Sequence, residues 1–305
     1  MSSKKHGIIP AVLTPYDSDG ALSPAKLEEL ADDLIERGAQ GLFVCGTTGE
    51  FPFLTVAERE QIVATSIATA AGRVPVIVHV GCLHMSDTLR LAKHAKAAGA
   101  AALSSVPPFY YEYTEEAILD HLGEIATATD LPFYFYHIPP RTHVAPDVAL
   151  FEKIAKVPNV IGCKYSSGDL ELLERLIQAL GPDFTFFCGG DENLLKELDL
   201  GVGGAVGSTY NFLLPYSNSI WSEFQSANRD EASTAQDTVN RFVAIATLYS
   251  NIAVTKEIMR LRGLDLGPPR RPQSRLTPPQ CIEIAAGLER EGYWNLPGVG
   301  ERVAR

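Results

Sequence analysis

The sequence predicts an α/β fold: a (β/α)8 barrel of the TIM type followed by a C-terminal helical extension. Three observations lead there. Eight short β-type runs recur along the chain, at Ile8–Thr14, Gly41–Gly46, Pro75–Gly81, Ala101–Val106, Pro132–Ile138, Val160–Tyr165, Phe184–Cys188 and Gly204–Ser208. Their starts lie 20 to 34 residues apart, room for one strand and one return helix, as a βαβ unit requires. Several runs are apolar throughout rather than alternating, the pattern of parallel strands covered on both faces. A doubly wound sheet is the competing layout, but it usually has fewer strands and a crevice motif at a switch point.

The stretches between the runs carry helix signals. Ser23 and Pro24 read as N-cap and first-turn proline, and Gly38 closes that helix. Between them Leu27, Leu30, Ala31, Leu34 and Ile35 share one face. Thr55 and Glu58 form a capping box, and Pro146 is expected to open a later helix. The barrel takes residues 1–210 and carries the active site; 211–305 form the extension. Within the extension, residues 212–263 read as helices, and Gly267–Pro279, with five prolines, reads as a loop. A last helix runs from about Gln280 to Glu291, and the tail from Asn295 is expected to be loosely held.

Composition narrows the function. The 305 residues, 46% hydrophobic and 21% charged, make an ordinary globular chain with room for a large core. Against 37 acidic residues stand 26 Lys and Arg, a formal charge of −11 that argues against nucleic-acid and anionic-membrane partners. Lys4 and Lys5 precede an apolar stretch, Ile8 to Leu13, that is too short for a signal peptide and is broken by Pro10. The five cysteines form no C-x-x-C pair and leave one unmatched, so a reducing cytoplasm is expected. A cytoplasmic protein acting on small molecules is the expectation.

In a barrel the chemistry sits at the carboxyl ends of the strands. The second run ends in Gly46-Thr47-Thr48-Gly49-Glu50, either a carboxylate- or phosphate-binding turn or a tight turn capping the next segment. It lacks the Gly-Lys-Ser/Thr ending of a P-loop. The sixth run ends in Lys164 after apolar or small residues. An amine partly out of water is more often the neutral nucleophile and can form a Schiff base, although an isolated lysine more commonly snorkels outward. Tyr136 could relay protons or simply pack, and Arg141 could fork onto a carboxylate or stay a surface charge. Asp191 and Glu192 would repel phosphate and suit sugar hydroxyls, or else merely favour a helix N-terminus. The histidine spacings (His79 and His84, His137 and His143) match no metal motif, and no metal is expected.

Taken together, Gly46–Glu50, Tyr110, Tyr136-x-Ile138-Pro139 and Lys164 resemble the pyruvate-dependent lyase and synthase family that includes dihydrodipicolinate synthase and N-acetylneuraminate lyase. The resemblance runs from Ile8-Ile9-Pro10-Ala11 to Gly267-Pro268-Pro269-Arg270. It implies a class I aldolase, typically a homotetramer, that binds a small keto acid and needs no metal or organic cofactor. It implies that Lys164 forms the imine with pyruvate and that Tyr136 relays protons. Tyr110 would lie near Tyr136 across a subunit contact, while Thr47 and Thr48 hold the carboxylate. His79-Val80-Gly81, Gly189-x-Asp191-Glu192 and Gly204–Asn211 look most like the N-acetylneuraminate lyases. Ser166, Gly189, Asp191, Glu192, Val206 and Ser208 are then the implied sugar-acid contacts. Two positions depart from that pattern. Arg141 stands where the lyases usually have an aliphatic residue and resembles the arginine with which the synthases hold the carboxylate of aspartate semialdehyde. Ser166 stands where bacterial lyases tend to have threonine.

Overall fold

The computed structural model describes residues 6–299. Eight parallel strands form the barrel: β1 (Gly7–Pro10), β2 (Leu42–Val44), β3 (Val76–His79), β4 (Ala102–Ser105), β5 (Phe133–His137), β6 (Val160–Tyr165), β7 (Thr185–Cys188) and β8 (Gly204–Gly207). They pair in the order β1-β8-β7-β6-β5-β4-β3-β2, and a parallel bridge between Ala11 and Phe43 closes the seam. All eight predicted runs are strands, most of them shorter than the apolar pattern, because the ends of each run turn into the loops. Asn211 secures the closing end: its side-chain amide donates to the carbonyls of Ala11 and Ser208, both at 2.8 Å.

The return helices are α1 (Pro24–Glu36), α2 (Val56–Ala70), α3 (Met85–Ala98), α4 (Glu115–Ala126), α5 (Val148–Ala155), α6 (Leu170–Leu180), α7 (Leu194–Leu200) and α8 (Tyr210–Gln225), which packs beside β1. Their apolar faces fill the layer outside the strands with residues such as Leu30, Leu122, Phe151 and Leu176. A smaller cluster inside the barrel contains Ile9, Phe43, Tyr134, Tyr136, Phe187 and Val206. The capping box of Thr55 and Glu58 is present at the start of α2. Ser23 sits at the N-cap of α1, but its side chain makes no capping bond. Pro146 does not open α5: Asp147 takes the cap, its carboxylate accepting from the Leu150 N–H at 2.9 Å.

The helix Tyr210–Gln225, placed in the extension by the expected boundary at 211, packs beside β1 as the eighth return helix, and three further helices follow it: α9 (Arg229–Ala246), α10 (Asn251–Leu261) and α11 (Pro278–Arg290). Pro278 and Pro279, expected in the loop, form the first turn of α11, where a missing N–H costs nothing. The tail is also held more firmly than expected as far as it is described. Val299 is buried, and Arg37 and Arg262 donate to its carbonyl, with Arg37 also reaching that of Gly298. Residues 300–305 lie outside the described residues. Among the described residues no helix is long and apolar enough to cross a membrane.

Candidate active site

Register decides which way Lys164 points. β5 and β6 pair Phe133 with Val160 and then Tyr134 with Gly162, so Ile161 is an extra residue bulged out of the ladder. Beyond the bulge Tyr136 pairs with Lys164 and His137 with Tyr165. A slip of one residue would turn Lys164 outward, because strand side chains alternate. Gly162 makes room for the inward column: a Cβ there would collide with the Thr185 carbonyl and the Tyr134 ring.

Lys164 is 4% exposed. Its Nζ lies 4.0 Å from the centroid of the Tyr136 ring and 4.7 Å from that of Phe43. Two aromatic faces thus line the pocket around the amine and leave it little contact with water. The Tyr136 hydroxyl is 3.2 Å from Thr47 Oγ1.

Thr47 comes from the turn after β2, whose shape is fixed on several sides. Cys45 and Glu50 bracket it with left-handed φ of 58° and 60°. Thr14 Oγ1 donates to the Gly49 carbonyl at 2.6 Å, and the Glu50 N–H donates to that of Thr47 at 3.0 Å. Thr48 is buried in the same turn. The Glu50 carboxylate is held by Lys256 Nζ at 2.7 Å, the Arg270 N–H at 2.8 Å and Gln273 Nε2 at 2.6 Å.

His79 supports this arrangement from below. Its Nδ1 lies 3.0 Å from the Cys45 carbonyl and its Nε2 accepts from the Val106 N–H at 3.3 Å, joining three strand ends. Both bonds fit a neutral imidazole with the proton on Nδ1. Burial, with Arg59 and Lys164 nearby, pushes its pKa well below the ordinary histidine value. The ring meets Tyr136 edge-on at 5.9 Å. Arg59, itself buried, donates to the carbonyls of His79 and Gly81. His137 points outward between Phe135, Phe151 and Tyr165, and burial lowers its pKa to about 4.

Of the remaining predicted residues, several line the strand ends beside Lys164. Ser166 and Gly189 abut each other, and a Cβ on Gly189 would overlap the Ser166 hydroxyl. Ser208 is partly exposed, and Val206 is buried in the interior cluster with Tyr136 and Phe187. Glu192 is exposed, whereas Asp191 is buried. One oxygen of Asp191 accepts from the Thr209 N–H at 2.8 Å and from its hydroxyl at 2.6 Å; the other lies where a Cβ on Gly207 would stand. Burial raises its pKa, as it does that of Glu197, which reaches about 7 beneath the same loop. Arg141 is exposed on the short helical turn Pro139–Thr142 and lines a cavity of about 310 Å³ with Thr47, Phe109, Ile138 and Gln273. Tyr110 is 76% exposed with φ of 88°, its ring edge-on to Tyr111.

Sequence reasoning passed over Phe43, Arg59 and the Glu50–Lys256 pair; His79, expected to be an exposed or satisfied histidine rather than a metal ligand, is a satisfied buried one. Lys256 had a readable signal. With Thr255 and Glu257 it separates Ile252–Val254 from Ile258–Met259 on a helix that is buried for most of its length.

A parallel barrel with a dehydrated lysine at a strand end, a phenol over it and a hydroxyl turn beside it has the makings of a class I aldolase. The chain belongs to the dihydrodipicolinate synthetase family, whose model matches residues 4–290, and is thus a pyruvate-dependent carbon–carbon lyase. It is 36% identical over 278 residues to the N-acetylneuraminate lyase of Danio rerio, covering 88% of this chain and 91% of that one. The solved sialic acid aldolase of Ruminococcus gnavus superposes with a TM-score of 0.90 at 30% identity, covering 96% of this chain and all of that one. The dihydrodipicolinate synthase of Aquifex aeolicus also gives 0.90, at 26% identity, covering 96% of this chain and 99% of that one.

Proposed function

We propose that the protein cleaves N-acetylneuraminate to N-acetylmannosamine and pyruvate through an imine on Lys164. The observation that carries the chemistry is the pairing of Lys164 with Tyr136 across β5 and β6, with the Tyr136 hydroxyl on Thr47 Oγ1 at 3.2 Å. The Lys164 amine attacks C2 of the open-chain sugar acid and water leaves, giving a protonated imine. Tyr136 relays the proton of the C4 hydroxyl, accepting it as its own phenolic proton passes to the substrate carboxylate, the C3–C4 bond breaks to release N-acetylmannosamine, and its electrons enter the imine to leave an enamine. Protonation at C3 and hydrolysis then release pyruvate and free Lys164. Thr47 and Thr48 hold the carboxylate; Ser166, Gly189, Asp191, Glu192, Val206 and Ser208 form the side on which the polyol lies. The N-acetylneuraminate lyases among the relatives support this substrate.

Arg141 favours a second reading. A guanidinium on the cavity that Thr47 also lines suits a carboxylate-bearing aldehyde, and hence condensation of pyruvate with aspartate semialdehyde or use of another 2-keto-3-deoxy acid. Side-by-side turnover of all three substrate types decides. N-Acetylneuraminate should turn over fastest, and Arg141→Leu should raise KM for an acidic electrophile by roughly 10–100-fold, the worth of one charged hydrogen bond. Inert N-acetylneuraminate beside reactive aspartate semialdehyde would overturn the lyase reading.

The cytoplasm remains our proposed location, and a homotetramer the proposed assembly. The exposed Tyr110, Tyr111 and Leu83, all near the barrel mouth, are the apolar groups that a second copy would cover, bringing Tyr110 to the partner's site. Light scattering should give four times the 33.1 kDa chain mass, and Tyr110→Asp should shift it to smaller species. A monomer with full activity would remove Tyr110 from the site.

A further inference from the structure

Three donors meet the Glu50 carboxylate, and all three come from α10 or from the proline-rich loop after it: Lys256 Nζ, the Arg270 N–H and Gln273 Nε2. The side chains of Lys256 and Glu50 are 2% and 0% exposed. A buried ion pair is a poor source of stability, since well-packed apolar groups of the same volume commonly do as well or better. This one occupies a telling place. Glu50 ends the turn that carries Thr47, its N–H donates to the Thr47 carbonyl, and its left-handed φ leaves the turn little freedom to move independently. Thr47 in turn meets the Tyr136 hydroxyl.

We propose that the Lys256–Glu50 pair is a positioning device for proton transfer: the C-terminal extension holds Glu50, and through it the Thr47–Tyr136 couple, in catalytic register. The inference rests on the imine reading of Lys164. A displacement of about 1 Å in such a couple is enough to slow chemistry by roughly 100-fold. The surroundings of Lys256 make the device sensitive to pH. Its Nζ faces the Tyr16 ring at 4.3 Å and the Pro268 carbonyl at 3.4 Å. Arg270 lies over the same ring and pairs with Glu58. On the other side is a cavity of about 550 Å³ walled by Asp17, Lys26, Glu257, Arg260, Asp265 and Arg275. Burial outweighs the attraction of Glu50 and lowers the Lys256 pKa to about 8. The ammonium is therefore complete below that pH and is lost above it, leaving the Glu50 carboxylate one donor short.

The test uses pyruvate alone, so the aldehyde substrate does not enter. Exchange of the pyruvate methyl protons in D2O, followed by NMR, reports removal and return of the C3 proton of the imine. Borohydride labelling of Lys164 reports the imine itself. In Glu50→Gln and Lys256→Met we expect exchange at least tenfold slower than in the wild type while Lys164 is still labelled. Wild-type exchange should fall as pH rises through about 8, and Lys256→Arg, which keeps its cation, should lose that fall. Should Lys256→Met not fold, Glu50→Gln and Lys256→Arg decide alone. Exchange within twofold of wild type in folded Glu50→Gln or Lys256→Met, or an unchanged alkaline fall in Lys256→Arg, overturns the positioning role. An unlabelled wild-type Lys164 overturns the imine reading instead.

Discussion

Lys164→Met should lose turnover by on the order of 10³-fold or more, together with all borohydride-trapped pyruvate. The side chain keeps most of its length and loses only the amine, so the hole between Phe43 and Tyr136 stays filled. Stability should change little, because methionine keeps the packing against the Phe43 and Tyr136 faces while the amine's interactions with those faces and with nearby Asp191 are lost. That combination separates a catalytic loss from an unfolding one. The measurements are a thermal melt, turnover and the peptide mass after reduction. A methionine variant that melts like the wild type and keeps more than about one per cent of its turnover would exclude a covalent role for this lysine.

How far Lys164 could be read from sequence depends on its place on a strand. The apolar run before it and its position at a run's end placed it at the barrel mouth. The direction in which it points was not readable, because that depends on the single-residue bulge at Ile161, which leaves no mark in an apolar pattern. Tyr136 was legible for the same reason as Lys164, its place at a run's end, but a strand aromatic on both faces did not show which of its rings point inward. Asp191 was legible as a residue of the strand-seven loop but not as a tie to Thr209, a bond that spans two strands. Glu50 and Lys256 are 206 positions apart, and nothing local in either segment names the other. The same holds for Arg59, a helix residue that donates to the carbonyls of His79 and Gly81 and to the Cys82 sulfur, 20 or more positions away.

The charge balance also takes a different meaning once the site is built. A chain of net charge −11 must admit an anion, and the barrel mouth meets that need locally. Arg141 supplies positive charge there, while burial raises the pKa of Asp191 and Glu197 behind the β7 loop. Asp191 also accepts from the Thr209 N–H and hydroxyl, so part of its charge is met by donors of this chain before a substrate enters.

Tyr136→Phe separates imine formation from proton transfer. The ring remains, and with it the aromatic face that Lys164 meets at 4.0 Å, so pyruvate should still be trapped on the lysine at near wild-type yield. The change removes only the hydroxyl and its 3.2 Å contact with Thr47. Turnover should therefore fall by about 10²–10⁴-fold, the range for losing a positioned acid–base group, with a much smaller change in KM. Thr47→Val removes the other half of the same contact. In the Tyr136→Phe background it should cost far less in turnover than it does alone, because the two hydroxyls act as one unit. Independent, multiplying losses in the double variant would mean that Thr47 serves only the substrate carboxylate. Loss of the trapped adduct in Tyr136→Phe would move the phenol from the carbon–carbon step to formation of the imine.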